Sequence, residues 1–257
     1  MLINKFRQRV KNGENVIGPW CSLASSTITD IIASAGMDFV ILDMEHGNIN
    51  YNELENMIRA AILKSCCPIV RVGMVDELQI LKPLDLGAQG IIAAHVETKE
   101  DCEKLVSYVK YYPQGKRGFS SFTPAGEYSL TKVRSHSDES NKETITGIII
   151  ESLKGIENLD SITDTKHLDL VYIGAYDLAQ SMGFPGNPSH PDVQNIIKDS
   201  IKKIRNKGLI AGGYAAKNHS EIKPMLDMGM QFITYIPDVT VIFHAFNDIK
   251  IAFDKLK

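Results

Sequence analysis

Short apolar runs alternate with longer amphipathic segments along almost the whole chain. Eight of these runs are rich in β-branched residues and have the length of buried strands. They are VIGPWCSL from Val16, FVILD from Phe39, PIVRV from Pro68, GIIAA from Gly90, GIIIE from Gly147, LVYIG from Leu170, LIAGG from Leu209 and FITYI from Phe232. Nearly every gap between them has apolar residues at three- and four-residue spacing, which predicts helices. Strands that alternate with helices are typical of a parallel sheet.

The number and character of these units predict an α/β fold, a (β/α)8 TIM barrel. Strands that are apolar throughout are buried on both faces, as they are in a ring of strands covered by helices. A length of 257 residues suits one such barrel, so residues 1–257 are predicted to form a single domain. The first segment, MLINKFRQRVKNGENV, predicts an N-terminal helix. An open, doubly wound sheet is the alternative architecture.

The longest irregular stretch is YYPQGKRGFSSFTPAGEYSL, which starts at Tyr111 and joins the fourth and fifth predicted strands. Loops of this length inside a compact domain usually have a function. We therefore expect this segment to take part in the function of the protein.

Composition narrows the class of partner. The chain has 28 Lys and Arg against 31 Asp and Glu, a formal net charge of −3, and no cluster of basic and aromatic residues, so no nucleic-acid partner is expected. The four cysteines lack C-x-x-C and zinc-ribbon spacing and are expected to be reduced. The chain has neither a signal-peptide core nor an apolar run of about 18 residues, so we expect no membrane segment and a cytoplasmic location. A small molecule is the expected partner.

Polar residues follow the predicted strands at their carboxyl ends, where barrel enzymes have their active sites. Because these ends share one face of a barrel, we expect the side chains to meet at one mouth. The residues are Trp20 in the first run, Asp43, Glu45 and His46 after the second, Arg71 in the third, Glu151 after the fifth and Asp177 after the sixth.

Glu151 and Asp177 are candidate metal ligands. A carboxylate at the end of the fully apolar run GIIIE needs a cation or several donors, because burying it alone is costly. Two carboxylates from neighbouring strand ends leave positions for water and substrate and suit an oxygen-binding ion such as Mg2+ or Mn2+. The alternative is that Glu151 pairs with a Lys or Arg and that Asp177 caps the helix starting at Leu178.

The segment LDMEHG places Asp43, Glu45 and His46 on one tight loop, where a histidine suits proton transfer near neutral pH. An ordinary surface loop is the alternative. Arg71 lies near a buried strand end and needs a carboxylate or an oxyanion, so a structural ion pair with Asp43 or Glu45 competes with a catalytic role. Trp20 lines the pocket or belongs to the core. His95, after the fourth run, either reaches the mouth as well or is a structural residue, which a lone histidine more often is.

Several enzyme classes are excluded by missing motifs. The chain has no G-x-x-x-x-G-K-[ST] phosphate loop, no G-x-G-x-x-G after a strand, no G-x-S-x-G elbow and no H-E-x-x-H. None of the eight runs contains a lysine that could form a Schiff base. Metal-assisted chemistry is favoured by elimination.

The chain resembles the HpcH/HpaI family of metal-dependent pyruvate aldolases over nearly its whole length. Six segments carry the resemblance, and the last is the most specific. They are IGPWCSLAS from Ile17, AGMDFVILDMEHG from Ala35, PIVRV from Pro68, YPQGKRG from Tyr112, IIIES from Ile148 and YIGAYDLAQSMGFPGNPSHPDV from Tyr172.

The resemblance implies roles for individual residues. By it, Glu151 and Asp177 correspond to the metal ligands, Arg71 to the arginine that stabilises the enolate oxygen, His46 to the acid/base histidine and Asp43 to its partner carboxylate. Glu45 corresponds to an acid near the metal-bound water. Gly174, Ala175 and Tyr176 correspond to the turn whose backbone amides meet the substrate carboxylate.

The resemblance also implies an activity. The expected enzyme is a class II aldolase, a carbon–carbon lyase that makes or cleaves a 4-hydroxy-2-oxo acid from pyruvate and an aldehyde. Its expected cofactor is Mg2+ or Mn2+, with Co2+ and Zn2+ as other options. The family resemblance further implies a homo-oligomer, with a hexamer built from interlocking terminal helices as the favoured form.

The chain departs from the family pattern at three places. Ile149 stands where the family usually has Gln, Ala175 and Tyr176 replace Pro-Ala in the turn before the metal Asp, and Ala125 stands where an arginine is expected. These changes leave the metal and enolate groups in place and affect the acceptor half, so the aldehyde, or even the aldol outcome, is open to differ from the family norm. Two other functions stay open: a lyase acting on a CoA thioester, against which the His46 loop argues, and a non-catalytic barrel that binds a 2-oxo acid or a protein.

Overall fold

The computed structural model describes residues 5–131, 133–215 and 218–256, and the sheet within them is entirely parallel. All eight predicted strands are confirmed, the first of them as two short segments. The strands are β1 (Val16–Gly18), β2 (Trp20–Cys21), β3 (Phe39–Asp43), β4 (Cys67–Val72), β5 (Gly90–Ala93), β6 (Ile145–Ile150), β7 (Leu170–Ile173), β8 (Ile210–Ala215) and β9 (Phe232–Tyr235).

The barrel is closed by its first strand, which pairs on both sides. β1 pairs with β9, and β2 pairs with β3, while Pro19 separates the two segments. Proline has no amide hydrogen and therefore interrupts the ladder at this point. A Cβ atom at Gly18 would lie 2.0 Å from the carbonyl oxygen of Phe39, so only glycine fits where the strand changes neighbours. The predicted (β/α)8 barrel is confirmed, and the open sheet is wrong.

Helices cover the outside of this ring. They are α1 (Lys5–Lys11), α2 (Ser26–Ser34), α3 (Tyr51–Leu63), α4 (Glu77–Asp85), α5 (Lys99–Val109), α6 (Val133–Glu143), α7 (Leu153–Glu157), α8 (Leu159–Thr163), α9 (Ala175–Ser181), α10 (Pro191–Asn206), α11 (Ile222–Asp227) and α12 (Asp238–Asp254), with a 3-10 turn at His219–Glu221. Side chains that precede the first turn of α2, α3, α4 and α5 accept hydrogen bonds from its amides, which fixes where each helix begins. None of the helices in the described ranges is both long enough and apolar enough to cross a bilayer.

The N-terminal helix seals one end of the barrel. The ring of Phe6 packs edge-on against Phe39 and Phe232, with centroid distances of 5.7 and 5.8 Å. Phe6 and Val10 thereby join the cluster of side chains inside the barrel. The predicted N-terminal helix is confirmed from Lys5 onward, and residues 1–4 lie outside the described residues.

The long segment after α5 lies at the same sealed end, away from the carboxyl ends of the strands. The amide of Ala125 donates to the carbonyl oxygen of Asp85, the last residue of α4, over 3.1 Å. The buried Arg117 guanidinium donates to the Asp85 carboxylate over 2.8 Å. This segment therefore does not line the mouth of its own barrel.

Candidate active site

A pocket of about 330 Å³ opens at the carboxyl ends of the strands. Nine of the ten residues selected from the sequence line it, and Glu45 lies directly beside it. Its full lining is Trp20, Ser22, Asp43, His46, Arg71, Ile149, Glu151, Tyr172, Gly174, Ala175, Tyr176, Asp177, Tyr214, Pro237 and Val239. The strand ends thus bring together residues that are more than 200 positions apart in the sequence.

Glu151 and Asp177 reach the pocket from adjacent strands. Glu151 follows β6 directly, and Asp177 lies in the first turn of α9, after β7. A Cβ atom at Gly174 would lie 2.8 Å from the Glu151 Cβ and 3.1 Å from its Oε2, so glycine leaves the room that this carboxylate uses. Burial raises the pKa of Glu151, and the charges of Asp177 and Glu45 act in the same direction. A cation at this point would offset all three effects.

The donor set fits a divalent ion. Both carboxylates offer hard oxygen ligands, and helix α9 begins at Ala175 without using Asp177 as its cap. Nearby, Oε2 of Glu45 is buried and accepts no hydrogen bond from the described residues, with Nη1 of Arg71 3.3 Å away. Within the described ranges, no group of three or more Asp, Glu, His or Cys side chains forms an all-protein metal site. The remaining ligand positions would therefore belong to water and substrate.

Arg71 is fixed by carboxylates and by an aromatic ring. Its Nε donates to Oδ1 of Asp43 over 2.8 Å, and Nη2 donates to the other oxygen of the same carboxylate. The guanidinium carbon lies 4.4 Å from the centre of the Trp20 ring. These contacts hold the planar group in one orientation at the pocket wall. Trp20 is buried as well as lining the pocket, so both interpretations of this residue hold.

The His46 ring is exposed at the rim of the pocket, and its backbone is fixed by Asp43. Oδ1 of Asp43 accepts hydrogen bonds from the amides of Glu45 and His46 over 3.0 and 3.1 Å. The Asp43 side chain therefore orders the loop and binds Arg71, rather than holding the His46 ring as the resemblance implies. The ring is left at the pocket surface, where a substrate can reach it.

His95 contacts two acidic residues of the site, Glu45 and Glu151. Its Nε2 is 3.0 Å from Oε1 of Glu45, and its Nδ1 is 2.8 Å from Oε1 of Glu151. The His95 amide also donates to the same Glu151 oxygen over 3.0 Å. Of the two interpretations of His95, the one in which it reaches the mouth therefore agrees with these contacts.

The rest of the pocket lining is largely apolar and aromatic. Tyr172 is buried, packs edge-on against Trp20 at 5.6 Å, and hydrogen-bonds through its hydroxyl to Thr234 over 2.6 Å. Tyr176 and Tyr214 face each other at the opening with ring centroids 6.2 Å apart. Ile149, Pro237 and Val239 complete this wall. Tyr214 directly follows the run LIAGG and is not among the residues selected from the sequence.

The family model described as HpcH/HpaI aldolase/citrate lyase matches residues 17–245 of the chain. The chain belongs to the HpcH/HpaI family. The predicted resemblance is confirmed over nearly its whole length.

Two sequence relatives of this HpcH/HpaI chain are aldolases. A hydroxypyruvate/pyruvate aldolase of Sagittula stellata is 30% identical over 93% of this chain and 93% of its own length. A 2-keto-3-deoxy-L-rhamnonate aldolase of Klebsiella pneumoniae is 32% identical over 96% of this chain and 92% of its own. The prediction of an aldolase, a carbon–carbon lyase with a divalent metal ion as its cofactor, is confirmed at the level of the family.

Two solved structures of similar fold differ in the activity that they are named for. The HpcH/HpaI aldolase from Desulfitobacterium hafniense DCB-2 superposes with a TM-score of 0.91 at 25% identity, covering 97% of this chain and 96% of that one. The citrate synthase SbnG superposes with a TM-score of 0.86 at 30% identity, covering 97% of both chains. One HpcH/HpaI barrel thus supports more than one kind of carbon–carbon bond formation.

Proposed function

We propose that this protein is a divalent-metal-dependent aldolase that cleaves or forms a 4-hydroxy-2-oxo acid through the enolate of pyruvate. The observation that carries the proposal is that two carboxylates, Glu151 and Asp177, line one pocket together with the fixed guanidinium of Arg71. The partners in the reaction are a 2-oxo acid and an aldehyde. We propose Mg2+ or Mn2+ as the ion, with Co2+ or Zn2+ as substitutes, and the cytoplasm as the location.

Glu151 and Asp177 would hold the ion, which when bound supplies a Lewis acid for the carboxylate and keto oxygens of the substrate. The backbone of Gly174, Ala175 and Tyr176 lies at the start of α9. The Gly174 amide donates to the carbonyl oxygen of Ile150 over 3.0 Å, so the first-turn amides of Ala175 and Tyr176 would orient the carboxylate. Arg71 places fixed positive charge where negative charge develops on the keto oxygen. Its two bonds to Asp43 keep that charge in position without rearrangement during the reaction.

His46 would transfer the proton of the substrate hydroxyl, whose oxygen is the carbonyl oxygen of the aldehyde acceptor. The ring lies at the pocket surface, so a direct contact or one bridging water is within its reach. In the cleavage direction it accepts the proton of the substrate hydroxyl as the carbon–carbon bond breaks. In the condensation direction it returns that proton to the new alkoxide. Glu45 lies between Arg71 and His95 and would order water next to the ion.

The first test is exchange of the pyruvate methyl protons with deuterated water, followed by NMR with and without Mg2+ or Mn2+. This reaction needs no aldehyde and reports enolate formation alone. We expect exchange that requires the ion, that Glu151→Gln and Asp177→Asn abolish, and that Arg71→Ala abolishes. Arg59→Ala is the matched control, since Arg59 is exposed and pairs with Glu55 on α3. Absence of exchange with every ion would refute the proposal and favour a non-catalytic barrel.

His46 is tested separately, because its proposed role begins only when the aldehyde binds. We expect His46→Ala to slow aldol cleavage by roughly 10²-fold or more, the usual contribution of one acid/base group. Pyruvate proton exchange in the same variant is expected to fall much less. Equal loss of both reactions would contradict the role proposed for His46.

We propose a homo-oligomer, with a hexamer as the favoured form. The C-terminal helix α12 buries Asp238 among the described residues but leaves large apolar side chains exposed. Its exposed residues include Val241, Phe243, Phe246, Ile249 and Ile251, each at least 45% exposed. A continuous apolar surface of this kind is typical of a protein–protein interface. A second copy of the chain is the occupant that the family resemblance favours.

A second candidate function is the condensation for which SbnG is named, citrate synthesis. The observation that favours it is His95, whose Nδ1 lies 2.8 Å from Oε1 of Glu151, at the place where an aldolase would need its ion. In that case His95 would take over part of the electrostatic role of the metal. The acceptor would be a 2-oxo dicarboxylate, and the donor a thioester.

One experiment separates the two functions. The metal-free protein is offered acetyl-CoA with oxaloacetate, and the metal-loaded protein is offered pyruvate in deuterated water. Citrate formation without metal, lost in His95→Gln, would replace the aldolase proposal. Metal-dependent pyruvate exchange that persists in His95→Gln, together with no citrate formation, supports the aldolase.

A further inference from the structure

A cavity of about 390 Å³ lies at the amino ends of the strands, the end of the barrel that α1 seals. Its walls come from α1, from the last turn of α10, and from the residues at or just before the first positions of β6, β7, β8 and β9. It shares no lining residue with the active-site pocket, which opens at the carboxyl ends. None of the roles proposed above uses this space.

The charged side chains that line this cavity are mostly cationic. They are Arg7, Lys11 and Arg205, with Asp169 as the one acid in the lining. Nη2 of Arg7 donates to Oδ1 of Asp169 over 2.7 Å, so these two charges offset each other. The ammonium of the buried Lys110 lies 3.9 Å from the other oxygen of Asp169 and adds positive charge behind it.

Lys11 and Arg205 are left without a compensating carboxylate. Neither forms an ion pair with any other residue in the part of the chain that the structure describes. The positions outside that part, 1–4, 132, 216–217 and 257, contain no Asp or Glu. The lining therefore carries two positive charges in excess of its one acid, before Lys110 is counted.

The guanidinium of Arg205 has a free edge. Its Nη1 donates to the carbonyl oxygen of Leu209 over 2.9 Å and to Oε1 of Gln231. Nε and Nη2, which lie along the opposite edge, donate to none of the described residues. This edge is the one through which an arginine binds a carboxylate or phosphate in two parallel hydrogen bonds. Burial lowers the pKa of Arg205, and a bound anion would offset that effect.

Gln231 provides a further donor at the same wall. Its side chain lines the cavity, and the residue is only 6% exposed. Because Oε1 accepts the hydrogen bond from Arg205, the amide nitrogen is left over, and it donates to none of the described residues. A buried donor of this kind is costly unless a ligand or water accepts its hydrogen bond. The hydrogen bond between Arg205 and Gln231 thus fixes two neighbouring groups that both have donors to offer.

We infer that this cavity binds a small oxyanion, carrying a carboxylate or a phosphate group, against Arg205, Gln231 and Lys11. The inference does not depend on the proposed aldolase function, because the cavity and the active-site pocket have no residue in common. The bound anion would connect α1 with the end of α10 and the start of β9. It would therefore stabilise the folded protein without entering the active site.

The test is binding of inorganic phosphate and of succinate to the metal-loaded protein, by calorimetry and thermal unfolding, with sodium chloride holding the ionic strength constant. We expect saturable binding of at least one probe and a rise in Tm with its concentration, because a ligand of the native state stabilises it. Binding of phosphate alone would identify a phosphate group as the ligand chemistry, and binding of succinate alone a carboxylate. Saturable binding of neither probe would overturn the inference.

Variants locate the anion. Arg205→Gln removes the free edge and is expected to raise Kd at least about tenfold, the loss expected for a charge-assisted hydrogen bond. Lys11→Gln removes an exposed cation without an ion pair, so the fold should be kept while Kd rises about two- to fivefold. Lys202→Gln, at an exposed position of α10, is the matched control and should leave Kd unchanged.

Arg71→Ala separates this cavity from the active site, where an anion could also bind. We expect probe binding to persist in Arg71→Ala and to weaken in both Arg205→Gln and Lys11→Gln. Binding that is lost in Arg71→Ala but unchanged in Lys11→Gln and Arg205→Gln would assign the anion to the active-site pocket and overturn the inference.

Discussion

At position 174 the backbone passes so close to Glu151 that a hydrogen atom is the only side chain with room. Gly174→Ala would place a methyl group 2.8 Å from the Glu151 Cβ and 3.1 Å from its Oε2. We expect the carboxylate to move and affinity for Mn2+ to fall at least tenfold, as measured by isothermal titration calorimetry.

The matched control for this change is Gly183→Ala, which has open space around its Cβ but a left-handed φ of 82°. That variant carries backbone strain without touching the site. A fall in thermal stability with unchanged metal affinity is expected for it. Equal metal affinity in both variants would show that Glu151 does not need the space at Gly174.

Single residues were predictable from the sequence where a strand end fixed their position. Glu151 and Arg71 lie at or near the end of apolar runs, so their side chains had to reach the barrel mouth. His95 was not predictable in this way, because its place depends on a left-handed backbone turn, with φ at 56°. That turn brings its ring to acids that are 50 and 56 residues away in sequence.

The C-terminal helix is fixed to the barrel by one carboxylate. Asp238, the first residue of α12, accepts hydrogen bonds from the backbone amides of Ser22 and Leu23, over 3.1 and 3.0 Å, and contacts the Cys21 thiol. Asp238 is 5% exposed, so its removal leaves these donors without their buried acceptor. We expect Asp238→Ala to lower the free energy of unfolding by about 2 to 4 kcal/mol, measured by urea denaturation.

Asp254→Ala gives the comparison at the other end of the same helix. This carboxylate is exposed and pairs with Lys250 one turn earlier. Exposed pairs of this kind contribute about 0.3 to 0.5 kcal/mol, so little change is expected. A similar loss of unfolding free energy in both variants would mean that a substitution anywhere in α12 destabilises the protein. The buried contacts of Asp238 would then have no special role.

A buried lysine connects α5 to the next strand. The ammonium of Lys110 donates to the carbonyl oxygens of Asn141 and Thr144, over 3.2 and 2.7 Å. Burial lowers its pKa from 10.5 to about 8. Between these values the unfolded chain binds more protons than the native protein, so this group makes stability rise with pH from about 8 to 10.5.

The measurement compares wild type with Lys110→Met across this pH range. Because other groups titrate in both proteins, the difference in their free energies of unfolding isolates Lys110. Above pH 8, we expect the free energy of unfolding of wild type to rise relative to that of Lys110→Met by at most about 1.4 kcal/mol per pH unit. Parallel profiles would mean that the lysine keeps an ordinary pKa in the folded protein.

Helices were predictable from the sequence where their apolar residues recur at regular three- and four-residue spacing. The four long helices α3, α5, α10 and α12 fall within the amphipathic segments between the runs. Helix α6 has no such signal, because its sequence VRSHSDESNKE is polar all round. It is held instead by side-chain contacts, such as the hydrogen bond from the Tyr111 amide to Asn141 over 2.7 Å. Polar contacts of this kind leave no periodic pattern in the sequence.

The exposed apolar side chains of α12 support the proposed homo-oligomer and give a test of it. Phe246 is 69% exposed in the isolated chain and lies near the middle of that surface. We expect Phe246→Glu to shift the protein to a smaller species in light scattering coupled to gel filtration. Lys202→Glu, on an exposed position of α10, should leave the mass unchanged. A wild-type monomer would contradict the proposed oligomer.

At the scale of the whole molecule, the count of eight strands was enough to predict the barrel. The position of the long segment after α5 was not, because a loop length does not say at which end of the barrel the loop lies. Its placement follows from chain direction: α5 runs back from the mouth, so the residues after Val109 start at the sealed end. Contacts with Asp85 then keep them there.

The split first strand ties closure of the barrel to synthesis of β9. β1 pairs with residues 232–234 of β9. The ribosome synthesises those β9 residues about 200 positions after β1. Until then the nascent sheet has an open apolar edge at its oldest strand. Such an edge invites pairing with other chains until β9 is available to cover it.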